Sequence, residues 1–64
     1  MLNYNLIECL ENKGIKQKEL AKMANVHEVT ISRAVNGFQL KERTWWKLAK
    51  ALDVTVGDIF VNPS

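Results

Sequence analysis

A single cysteine, Cys9, in a chain of 64 residues leaves no internal disulfide to form, and one proline with three glycines leaves little to interrupt helices. No apolar run approaches the roughly 20 residues of a membrane span, and no segment has the pattern of a secretory leader, so a reducing cytoplasm is the expected compartment. The one histidine, His27, is far from Cys9 in sequence, so no metal-ligand cluster is expected and a buried structural thiol is the simpler reading of Cys9. The chain also lacks a phosphate-cradling glycine loop and a nucleophile with a base at workable spacing. A domain this short buries only about 60% of its unfolded surface, which leaves no room for a deep catalytic cavity. An enzyme, a bound cofactor and a small-molecule effector are therefore all unexpected.

What the chain does contain is apolar and unevenly charged. Hydrophobic residues make up 47% of it, the proportion of a folded domain rather than of a disordered tail. The net charge is only +2, yet all nine lysines and arginines fall between Lys13 and Lys50, where Glu19, Glu28 and Glu42 reduce them to a local +6. The flanks hold Glu8, Glu11, Asp53 and Asp58, or −4. This asymmetry points to an anionic partner met by the middle of the chain; the alternative is that the lysines only solvate exposed helix faces.

Apolar spacing near 3.6 residues predicts five helices and no strand. In the first, Leu2, Leu6, Ile7, Cys9 and Leu10 share one arc up to a stop at Gly14. It begins either at Asn5, with Glu8 at capping-box spacing, or at Asn3. The second runs from about Gln17 to Ala24 with Leu20, Ala21 and Ala24 inward, and Asn25 follows where the chain must turn. The third, Glu28 to Asn36, needs only Ile31, Ala34 and Val35 for its buried side and stops at Asn36-Gly37. Two helices joined by so short a turn cross steeply. The fourth spans about Glu42 to Leu52 with Trp45, Leu48, Ala49 and Leu52 inward. Thr55, with Asp58 at capping-box spacing, opens a short fifth helix whose apolar surface is Val56, Ile59 and Phe60. With no repeat, low-complexity stretch or linker, residues 1–61 are expected to form one domain and 62–64 a frayed tail.

The stretch QKELAKMANVHEVTISRAVNG, Gln17 to Gly37, resembles the helix-turn-helix of the Cro and phage-repressor type, the XRE family. Leu20, Ala21, Ala24, Val26, Ile31 and Ala34 fit the family's pattern, and Asn25 stands where the family has a turn glycine. TWWKLAKALDVTVGDIF, Thr44 to Phe60, is similar to the family's fourth and fifth helices, so the likeness runs from Leu6 to Phe60. It implies an all-α, compact five-helix, lambda-repressor-like domain that binds DNA. Three departures stand out. Many members pair an arginine in the first helix with a glutamate late in the third, and those places hold Leu10 and Val35, which predicts that the two meet in the core as an apolar replacement. His27 stands where a serine or threonine cap is usual, so the third helix starts weakly or is capped otherwise. The loop GFQLK, Gly37 to Lys41, lacks the family's common proline.

The resemblance implies that the outer face of the third helix enters the major groove of double-stranded DNA, with its N-terminal half nearest the base edges. Arg33 is the leading base reader, since its planar fork matches guanine O6 and N7; a phosphate contact is its alternative. Val29 suits a thymine methyl or else covers the turn. Glu28 accepts from cytosine N4 or complements the helix dipole, and family usage favours the base. The small hydroxyls Ser32 and Thr30 can serve base or phosphate; Ser32 is assigned to the bases and Thr30 to the phosphates. By resemblance Gln17 aims its amide and a helix N-terminus at the backbone. The remaining phosphate candidates are Lys16, Lys18, His27, Asn36, Lys41 and Arg43, with Arg43 foremost, while Lys47 and Lys50 are read as solvated.

Trp45 is read as core, and Trp46 as capping the C-terminal helix or joining a partner subunit. The implied function is a sequence-specific transcriptional regulator, a small repressor of bacterial or phage origin that acts at a double-stranded operator on the nucleoid. A homodimer through the C-terminal helix is a further hypothesis. The alternative is a protein-interaction module, such as an antitoxin or anti-repressor, whose third helix contacts protein.

Overall fold

Residues 2–60 are described by a computed structural model as five helices: α1 (Tyr4–Lys13), α2 (Gln17–Ala24), α3 (Glu28–Val35), α4 (Glu42–Leu52) and α5 (Val56–Ile59). No strand occurs among the described residues, and the expected tail, 62–64, lies outside them. Asn3, rather than Asn5, starts α1: its side-chain Oδ1 accepts the Leu6 N–H at 3.0 Å. Leu2 therefore precedes the helix, and instead of joining its apolar arc is 41% exposed.

The helix stops are local and follow from the residues at them. Left-handed backbone occurs at Gly14, Asn25, Gly37 and Asp53, each directly after the end of a helix or its cap. Asn25, with φ 56° and ψ 47°, adopts the conformation that a turn glycine would supply, which asparagine tolerates at small steric cost. Gly37, at φ 81°, turns the chain out of α3.

Packing follows from one apolar stripe per helix. Leu6 and Leu10 of α1, Leu20, Ala21 and Ala24 of α2, and Ile31, Ala34 and Val35 of α3 enter a core completed by Trp45, Leu48, Ala49, Leu52 and Ile59. In that core α2 lies against α3 and α4, while α5 bridges α4 and α1. Each large side chain so buried contributes about 1.5–3 kcal/mol, which outweighs the weak intrinsic stability of helices eight to eleven residues long. Leu10 and Val35 are both buried, and they line one crevice between α1 and α3. The Trp45 ring meets Phe60 edge to face at 5.7 Å, and its buried Nε1 has no hydrogen-bond partner. Cys9 is half-buried and packs against the core.

Asn3 is the buried polar side chain of this core, at 1% exposure. Besides capping α1, it donates its Nδ2 to the Ile59 carbonyl at 2.9 Å, and its backbone N–H goes to the Val35 carbonyl at 2.8 Å. One residue thus ties together the start of α1, the end of α3 and the end of α5.

Candidate nucleic-acid interface

Three residues, Asn25 to His27, separate α2 from α3. Ala21 and Ala24 are the small buried residues on α2 that let the following helix approach. Val26 follows the left-handed Asn25, donates its N–H to the Ala21 carbonyl at 3.0 Å, and packs on the core, which fixes where α3 begins. His27 precedes α3 with no side-chain cap, so the first turn lacks the hydroxyl acceptor common at such starts.

Burial divides α3 into two sides. Ile31 and Ala34 are completely buried, while Glu28, Val29, Ser32 and Arg33 are exposed, Val29 at 54%. The N-terminal half of this open face borders a groove lined by Gln17, Lys18, Glu28, Val29 and Ser32, so the start of α2 and the outer face of α3 share one surface. Ser32 also borders a second depression with Arg33, Asn36, Leu2 and Phe38, which makes the surface continuous to the end of α3. Gln17 is the first residue of α2, and Lys16 immediately before it is exposed. The α2 start is stabilised by the Glu19 carboxylate, which accepts the Lys16 N–H at 3.2 Å; lysine has no acceptor with which to return the bond.

Other candidates stand differently. Thr30 is half-buried and so less open than Val29, because on the helix it lies one turn from the buried Ala34 rather than on the outer stripe. Asn36 donates its Nδ2 to the Ser32 carbonyl at 2.7 Å, and this bond to its own helix leaves one amide proton for any external acceptor. His27 is exposed at the start of α3. Lys41 and Arg43 are exposed at the start of α4 and do not line the grooves beside α3. Trp46 is 62% exposed and borders an apolar groove with Val54, Thr55 and Val56, so it flanks the start of α5 without being covered by it. Leu2 and Phe38 border the surface beside α3 without having been singled out for it in the sequence, whereas Asn3, one of the two candidates for the start of α1, also holds the end of α5. The exposure of Leu2 and Phe38 depended on which surface the chain laid beside them.

Two helices joined by a three-residue turn, the second presenting an open polar face beside the amino end of the first, define a helix-turn-helix DNA-binding domain. The family model described as helix-turn-helix matches residues 6–59, and the chain belongs to this family, in the Cro and phage-repressor type. It is a family of DNA-binding regulatory domains rather than of enzymes. No curated protein and no solved structure matches the chain. Among the described residues no helix is long and apolar enough to cross a membrane, and no group of three or more His, Cys, Asp or Glu is placed to hold a metal ion.

Proposed function

We propose that the protein is a sequence-specific transcriptional repressor that inserts α3 into the major groove of double-stranded DNA, with residues 1–61 acting as one binding domain. The observation that carries this reading is the continuous surface shared by Gln17 and Lys18 of α2 with Glu28, Val29 and Ser32 of α3, joined through Ser32 to Arg33. In it Arg33 reads guanine O6 and N7, Glu28 and Ser32 serve neighbouring bases, and Val29 meets a thymine methyl. Gln17, Lys16, Lys18 and His27 hold the phosphates on one side of the groove. Thr30, Asn36, Lys41 and Arg43 are secondary backbone contacts in this reading.

A domain seated in the major groove of an operator would exclude other proteins from that site, and this exclusion is the ground on which repression is proposed. One such domain makes few contacts, which favours two copies on successive major grooves about 34 Å apart. The contact proposed for them is α5 with the Trp46 groove beside it, on the bacterial or phage nucleoid in the cytoplasm. Selection of bound sites from random duplex DNA tests the reading. A recovered consensus with two related half-sites is expected; recovery of no enriched sequence would sink the claim of specificity, and a single unsymmetrical site would sink the dimer.

A further inference from the structure

The four long helices end in the same backbone motif, and α3 uses it differently from the rest. In each, the residue following a left-handed position donates its N–H to the carbonyl five residues back: Ile15 to Leu10, Val26 to Ala21 and Val54 to Ala49 at 3.0 Å, and Phe38 to Arg33 at 2.9 Å. This motif is commonly accompanied by an apolar contact between those two residues. In α1, α2 and α4 the earlier residue is a buried Leu10, Ala21 or Ala49, and Ile15, Val26 and Val54 pack against the core. In α3 the earlier residue is the exposed Arg33, and Phe38 remains 60% exposed. The ring is therefore anchored at the end of α3 by its own backbone, yet its apolar surface is left open. With Leu2 it walls the depression that also contains Ser32, Arg33 and Asn36.

We propose that Phe38, backed by Leu2, is a DNA-contacting residue that packs on apolar carbon of the duplex, a thymine methyl or a deoxyribose, beside the position faced by Arg33. The inference rests on α3 being the helix that enters the groove. Duplex DNA is the occupant because the depression is continuous with the reading face and combines an apolar wall with a guanidinium. An apolar protein surface laid there would strip water from Arg33 and offer no anion, whereas DNA supplies phosphate or guanine acceptors and sugar or methyl carbon together. Phe38 contributes no charge, so its contact adds affinity without releasing counterions.

The test is titration of a labelled duplex, taken from the selected pool, across a range of salt concentrations. Phe38→Ala should weaken binding by about tenfold. It should leave the slope of log affinity against log salt unchanged, with Phe38→Leu in between. Repeating the pair on a duplex with deoxyuridine in place of thymidine separates the two carbon sources: the effect of Phe38→Ala vanishes there if the methyl is the contact and persists if deoxyribose is. Wild-type protein that binds no duplex overturns the proposed function and this inference with it. Wild-type binding that Phe38→Ala leaves unchanged overturns this inference alone. In the wild-type complex, nuclear Overhauser contacts should link the Phe38 ring to DNA protons. Their absence, where α3 side chains show such contacts, would overturn it without recourse to any variant.

Discussion

Asn3 and Ile59, 56 positions apart, are joined by a buried hydrogen bond of 2.9 Å from the asparagine amide to the isoleucine carbonyl. Because the same side chain caps α1 at Leu6, Asn3→Ala removes a cap and strands a buried carbonyl. The expected loss is about 2–4 kcal/mol of unfolding free energy in urea. Asn3→Ser keeps an acceptor for the cap but is too short to reach Ile59, so its loss should be smaller. Equal losses in the two variants would mean that the cap contributes nothing, and an Asn3→Ser variant as stable as wild type would mean that the Ile59 bond contributes nothing.

Leu10 and Val35 offer a double-mutant cycle. Placing one charge in their crevice, by Leu10→Arg or Val35→Glu, should cost about 3 kcal/mol or more. Combining the two should recover part of that, since each charge then has a partner. Strict additivity of the two losses would show that the positions do not interact.

His27 leaves the start of α3 without a side-chain cap. His27→Thr supplies the missing acceptor and should raise stability by about 1 kcal/mol. Thermal unfolding with no DNA present checks this apart from any effect on phosphate contacts.

The Asp58 carboxyl is held below its ordinary pKa by hydrogen bonds from Thr55. The backbone N–H of Thr55, which donates to its carboxylate at 3.0 Å, lowers its pKa first, and the Thr55 hydroxyl lowers it further. Its folded pKa lies below the unfolded value of about 3.9. Its stabilising effect is therefore complete above that value and is lost as pH falls through the lower folded one. The stability difference between wild type and Asp58→Ala should shrink on acidification below about pH 4. A difference that is constant with pH would contradict the assignment.

Arg33 and Lys18 should fail differently on the selected operator. Arg33→Ala should cost about 1–3 kcal/mol and relax preference at one base pair. Lys18→Ala should weaken binding to all sequences and reduce the salt slope by about one. Loss of preference in the lysine variant, with none in the arginine variant, would reverse these roles.

The limits of α2 and α4 were legible residue by residue, because Gln17 and Ala24, or Glu42 and Leu52, bound an apolar period set by the chain immediately around them. The exposed face of α3 was legible by subtraction: once Ile31, Ala34 and Val35 are assigned inward, Glu28, Val29, Ser32 and Arg33 have only the other side. At the amino terminus the same reasoning failed. Leu2 fits the period of α1, but the Asn3 cap ends the helix before reaching it.

The sequence alone therefore determined the five helices and their stops, which depend on spacings within one or two turns, and the family, which depends on a pattern running through residues 6–59. Tertiary structure decided what Asn3 and Phe38 became. An asparagine is a surface cap until the far end of the chain brings the Ile59 carbonyl over it. Phe38, bonded through its backbone to the exposed Arg33, stays open and borders one depression with Leu2 from the amino terminus. The Asn3–Ile59 bond and the placing of Leu2 beside Phe38 both join groups far apart in the sequence, and local period carries no information about that.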